Sequence, residues 1–199
     1  MPKVVDHGAY RRELLGQCLK LFAAKGYGSL TMRQIAEHLG ISTGTLYHYF
    51  PSKEALFEQL LDHVSGEHIE KAMPEILATA DVRTRIVRLF HHITCHEEEC
   101  QQEALIFLNH LFSSNREEVR KVYAKVNERY RQAAKAIVQL EDEDLANLLS
   151  CLIDGLVINR IYDNTIDYQR IGAILGEMLA VYLQHRRERE ERQQCTNYG

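Results

Sequence analysis

Apolar residues recur at helical spacing along most of the chain, and no stretch shows the two-residue alternation of a strand. Leu14, Leu15, Cys18, Leu19 and Phe22 form the first stripe. A short second helix is predicted from Thr31, because a threonine followed three positions later by Gln34 is a capping box. Ile35, Ala36 and Leu39 line one face of it, and small Ala36 lets another helix approach closely. Gly40 ends this helix where a left-handed turn is easiest, and Ile41 tucks back onto the core. Ser42 then caps a third helix running from Thr43 to His48, with Leu46 as its inward anchor. Pro51 stops that helix, Ser52 caps the next, and Lys53 begins a long one that Pro74 is expected to end or bend.

The remainder continues in the same period. Asp81 caps a helix with Ile86, Leu89, Phe90 and Ile93 inward, and a shorter one carries Ala104, Leu105, Leu108, Leu111 and Phe112. Ser113-Ser114-Asn115 breaks the pattern, and Asn115 with Glu118 caps a helix bearing Val119, Val122, Val126, Tyr130, Ala133 and Ile137. Two late helices, about Asp144 to Tyr162 and Tyr168 to His185, are rich in apolar residues on more than one side. The fold class expected is all-α. It divides into a three-helix head over residues 1–53, a helical body over 54–187 and a polar tail over 188–199 that frays.

The third helix is unusual for what it lacks. Apart from Leu46 it carries no large aliphatic, so its outer face presents Thr43, Gly44, Thr45, Tyr47 and His48. A short helix of that kind fits a major groove: Gly44 permits close backbone approach, and the hydroxyls reach phosphates or base edges. Two helices broken at a glycine, the second small and polar, form a helix-turn-helix reader. In that docking Arg33 reaches a guanine edge or phosphate. Thr43, Gly44 and Thr45 meet DNA at the helix N-terminus, while Tyr47, His48, Tyr49 and Lys53 grip the backbone.

Charge agrees with this placement. The whole chain of 199 residues has net charge −4, yet residues 1–53 hold seven bases and three acids, a local +4 that leaves −8 for the rest. A basic head on an acidic body turns the phosphate-facing surface to the N-terminal segment.

The stretch Leu30–Phe57, with Thr31, Ile35, Ala36, Gly40, Gly44, Leu46, Tyr47, Tyr49, Phe50, Lys53, Leu56 and Phe57, resembles the TetR family of bacterial transcriptional regulators. The first stripe and Gly26-Tyr27 are similar to that family's first helix and its ending. The motif covers about the first quarter of the chain. The resemblance implies a cytoplasmic repressor, bound as a homodimer to double-stranded DNA at an inverted-repeat operator and released by an unknown small-molecule effector. It implies a seam between copies built from the last two helices, for which the candidates are Leu149, Leu152, Ile153, Leu156, Ile171, Ile174, Leu175, Met178, Leu179 and Tyr182. Two reading helices related by a two-fold axis then address half-sites about 34 Å apart. It also implies an effector pocket in the body, with candidates Phe90, Ile93, Phe107, Leu108, His110, Leu111, Phe112, Tyr123, Val126 and Tyr130. Among these His110 stands out by its polarity, although a hydrogen-bonded core histidine is the plainer expectation.

One cluster suggests a different sensor. His91 with Cys95, and His92 with His96, lie one helical turn apart, which is half of a metal site, and Cys95 and Cys100 are candidate redox thiols. Nothing in the sequence supplies the remaining ligands, so a solvated helix end is the preferred reading and no cofactor is expected. The five cysteines include no CxxC pair, which argues against a disulfide framework, and Cys195 is expected on an exposed tail. No run approaches the roughly 20 apolar residues of a membrane span, and the N-terminus lacks the apolar core of a secretory signal. GxSxG, HExxH, GxxxxGK[ST] and GxGxxG are absent, so no enzyme is expected. A helical adaptor would account for the body but not for the basic, hydroxyl-rich head.

Overall fold

A computed structural model describes residues 6–197, with side chains described through residue 193. Its helices are α1 (His7–Lys25), α2 (Met32–His38), α3 (Thr43–Tyr49), α4 (Lys53–Leu77), α5 (Val82–Cys95), α6 (Glu97–Ser113), α7 (Arg116–Val138), α8 (Glu143–Arg160) and α9 (Tyr168–Asn197). There is no strand among the described residues. The all-α reading is therefore the observed architecture.

Caps set most of the boundaries. Asp6 accepts from the amides of Gly8 and Ala9 to begin α1, and Gly26, at φ +77°, ends it. Thr31 and Gln34 form the reciprocal capping box of α2. Asp142 accepts from Leu145 N and starts α8 slightly earlier than its apolar run suggested. Pro74 neither ends α4 nor breaks it short; it sits in the last turn, where the lost N–H costs least cooperativity, and the helix ends three residues later at Leu77. The Glu97-Glu98-Glu99 run is the first turn of α6, where carboxylates suit the helix dipole.

The chain gathers into two compact units. The first comprises residues up to Ile69 together with Glu98–Arg131, so it joins α1 to α3 and most of α4 to α6 and the first two-thirds of α7. The boundary expected at residue 53 falls inside this unit. Its interior is continuous: Leu14, Cys18, Phe22, Ile35, Leu46, Phe50, Leu56 and Phe57 are packed with Ile106, Val119, Tyr123 and Val126. Phe57 is the hub, edge-on to Phe22 at 5.6 Å between centroids and 4.5 Å from Tyr27. Burial pushes the Cys18 thiol up to about 12, which makes it an inert apolar filler. On the far side of α4, Arg129 donates to Asp62 Oδ1 at 2.6 Å, to Asp62 O at 2.8 Å and to buried Ser65 Oγ at 2.6 Å.

The second unit holds Glu70–Glu97 and the chain from Gln132 onward. Here α5 and α9 run against each other through two glycines. A Cβ on Gly172 would lie 2.7 Å from Phe90 Cβ, and one on Gly176 would lie 3.2 Å from the Arg83 backbone. A side chain at Gly172 would force a shift and one at Gly176 would be tight, so small residues set the helix separation. Arg85, 4 % exposed, donates to the carbonyls of Thr79 and Ile137 and so satisfies its buried guanidinium within the unit.

The tail departs from expectation. Helix α9 continues through Asn197, held by i,i+4 contacts of Gln184 and Arg192 with Glu188 and of Arg186 with Glu190. Alternating charge supports helix here, whereas composition alone suggested fraying. The Cys195 side chain and the last two residues lie outside the described residues. No helix among the described residues is long and apolar enough to cross a membrane.

Candidate nucleic-acid interface

Helix α3 is presented by its anchors. Leu46 is fully buried, Tyr49 is 7 % exposed, and Phe50 behind them is fully buried. These place the opposite side outward: Gly44 and His48 are exposed, Thr43 and Thr45 are half-buried, and Tyr47 is 49 % exposed. Ser42 Oγ accepts from Thr45 N at 2.9 Å and meets Thr45 Oγ1 at 2.8 Å, so Thr45 is partly engaged in its own cap. Gly44 has no such internal duty. The nearest atom to a Cβ built there is Ser42 Oγ at 3.7 Å, an ordinary contact. Arg33 is exposed near the start of α2.

Two expected DNA contacts serve the head itself. Tyr49 is inside the unit; its hydroxyl pairs with His7 Nδ1 at 2.8 Å, its ring meets Tyr10 edge-on at 5.4 Å, and its carbonyl accepts from Arg11 Nη2 at 3.1 Å. Lys53 donates to the carbonyls of Tyr27 at 3.0 Å and Leu30 at 2.9 Å, and its ammonium lies 4.2 Å from the Tyr27 ring centroid. The start of α4 is thereby pinned to the turn between α1 and α2. His7, Tyr10 and Arg11 are the supports that sequence reasoning missed. The Arg11-Arg12 pair was visible as charge, but its target is a backbone carbonyl supplied by a helix 38 residues away.

Lys53→Ala is expected to lower unfolding stability by about 1–3 kcal/mol, since it strips two buried-side carbonyls of a charged donor. Chemical denaturation followed by circular dichroism measures this, and an unchanged midpoint would return Lys53 to the DNA-facing role.

The other candidates are distributed as follows. Leu149 (3 % exposed) and Leu179 (6 %) belong to the protomer's own core and are corrected out of the seam. Ile174, Met178 and Tyr182 are exposed, joined by Leu148 and Val181, which the sequence reading omitted. Leu152, Ile153, Leu156, Ile171 and Leu175 are half-buried. Of the pocket candidates, Phe112 is 84 % exposed and Leu111 37 % exposed, so both face solvent at the end of α6 instead of an interior. Phe90, Ile93, Tyr123 and Val126 are core, Phe107 stacks edge-on to Tyr123 at 4.9 Å, Leu108 is half-buried, and Tyr130 donates to Glu103.

His91 Nε2 does approach Cys95 Sγ at 3.6 Å, and the rings of His92 and His96 stack at 4.2 Å. The helix break at His96 separates these from Cys100, which is on α6. Among the described residues no group of three or more His, Cys, Asp or Glu is placed to hold a metal ion.

The geometry is that of a helix-turn-helix with its second helix exposed, and residues 14–60 match the family model described as bacterial regulatory proteins, tetR family. The head is that of a TetR-family regulator. Among curated members it is 27 % identical to the transcriptional regulator BetI of Rhizobium meliloti, over 80 % of this chain and 82 % of BetI. It is 35 % identical to the transcriptional repressor Rv1474c of Mycobacterium tuberculosis, over 41 % of this chain and 49 % of that protein. The solved structure of the regulator FadR from Bacillus subtilis, in complex with stearoyl-CoA, shares the fold with a TM-score of 0.70. That match is 20 % identical and covers 85 % of this chain and 97 % of FadR. A helix-turn-helix reads DNA through its second helix, the place that α3 takes here.

Proposed function

We propose that this chain is a homodimeric transcriptional repressor that binds an inverted-repeat operator and leaves it when a small molecule binds, acting by association and not by catalysis. The observation that carries the reading is the outer face of α3, where Thr43, Gly44, Tyr47 and His48 lie opposite buried Leu46 and Tyr49, with only the His48 ring packed edge-on against His7 and Tyr49. Arg33, Thr43, Gly44, Thr45, Tyr47 and His48 then meet the DNA, and Tyr49 and Lys53 hold the surface that meets it. The dimer reading is supported by Leu148, Ile174, Met178, Val181 and Tyr182, a set of large apolar side chains exposed on α8 and α9. Release by an effector is supported by the FadR relative of the same fold, which was solved with stearoyl-CoA.

Footprinting on the DNA upstream of the chain's own gene tests the reading. A protected inverted repeat is expected, lost on adding the cognate small molecule. Binding that is indifferent to sequence, or protection of a single half-site with no symmetric mate, would overturn it.

A further inference from the structure

A cleft of about 150 Å³ opens inside the first unit, between the turn after α1, the first turns of α4, the end of α6 and the start of α7. Its apolar wall is made by the rings of Tyr27 and Phe57, and its polar wall by the carboxylates of Glu54, Glu58 and Glu118. Among the described residues Lys121 is the one cation lining it, and with Lys53 behind the Tyr27 ring the three carboxylates still leave an excess of negative charge. Exposed carboxylates at helix starts are common and alone would mean little.

The second observation is His110, which also lines the cleft. It is 1 % exposed, stacked among Tyr27 at 5.0 Å, Phe57 at 4.8 Å and Tyr123 at 5.8 Å, and its Nδ1 has no hydrogen-bond partner. Burial lowers its pKa, opposed by the Glu118 carboxylate, and so favours the neutral ring. A neutral imidazole has one N–H and one lone pair. Glu118 Oε1 lies 3.8 Å from Nε2, which favours the N–H on that nitrogen and leaves Nδ1 as an acceptor without a donor.

Acceptors facing acceptors call for a donor-rich cation. The Phe57 ring favours positive charge over its face, the corresponding place on Tyr27 being held by Lys53. An anion would face three carboxylates, and no metal-holding group of His, Cys, Asp or Glu exists among the described residues. A volume of about 150 Å³ suits a small ligand and not a long acyl chain.

We propose that this cleft binds a small primary ammonium ion, an alkylamine or short diamine, hydrogen-bonded to His110 and paired with Glu58 and Glu118. The binding stands apart from the function proposed above, and only its regulatory sense rests on that reading. That sense is direct. Glu54 accepts from the Tyr27 hydroxyl at 3.3 Å, and Lys53 ties the Tyr27 and Leu30 carbonyls to α4, so an occupant touches the residues that fix the reading helices.

The test uses the full chain without DNA, following histidine imidazole signals by NMR at fixed pH and ionic strength while n-propylammonium chloride is added. A saturable shift of the His110 signal is expected, with a Kd of about 1 mM. Tetramethylammonium, a cation with no N–H, is expected to bind at least about fivefold more weakly. Glu58→Gln and Glu118→Gln, both outside the core, should each weaken the amine about fivefold without moving the unfolding midpoint. A His110 signal that moves with pH alone, or equal binding of the two cations, overturns the site. A gel shift on the footprinted DNA is the separate arm. If the amine binds and DNA affinity stays constant, the coupling is refuted and the site survives.

Discussion

Gly44→Leu is expected to lower operator affinity by about 100-fold or more while the thermal midpoint stays within about 2 °C of the parent. The separation of effects comes from the position of the residue. A Cβ at Gly44 meets only Ser42 Oγ, at 3.7 Å, so the fold does not require glycine there. Leucine is also a better helix former by about 0.8 kcal/mol, which offsets small losses elsewhere. On the docked face the same side chain stands between the α3 N-terminus and the groove, displacing several phosphate and base contacts together. Fluorescence anisotropy with the footprinted DNA measures the affinity. Full retention of binding would mean that the N-terminal turn of α3 does not approach the duplex.

The second large effect concerns the exposed stripe of α9. Met178→Asp is expected to yield a monomer in sedimentation and to reduce operator affinity by about 100- to 1,000-fold. Met178 is 63 % exposed and Ile174 61 %, with Val181 and Tyr182 alongside at helical spacing. A carboxylate placed in an apolar seam must be desolvated there without a paired cation. Each head then binds its half-site alone, without the effective concentration that linkage provides. Ala173→Asp, on an exposed position of the same helix, separates position from charge. Dimerisation unaffected by Met178→Asp would place the seam elsewhere.

Local signals served the head well. Capping residues, the helix-ending glycine and the solitary Leu46 were readable because each acts within four residues of itself. The errors share a cause: where a side chain aims is decided by partners distant in sequence. Lys53 at a helix start looks like a phosphate ligand until the Tyr27 and Leu30 carbonyls are in place to receive it. Leu148 and Leu149 are equally apolar, yet one step along a helix turns about 100°, and the exposures are 65 % and 3 %. His110 is noticeable as a polar residue in an apolar run, but nothing in the sequence singles out Glu54 or Glu58. Only the assembled unit brings them to one cleft.

The clasp of Arg129 on Asp62 and Ser65 has a further consequence, for recombination between relatives. The reading helices share one interior with Ile106, Val119, Tyr123 and Val126, contributed from residues 98–131. A chimera joined at residue 53 would cut through that interior, and one joined after residue 69 would leave the Asp62 carboxylate facing a foreign α7. New DNA specificity therefore travels between family members in two ways. It moves as a few exchanged side chains on the outer face of α3, or as a discontinuous graft that carries residues 6–69 and 98–131 together.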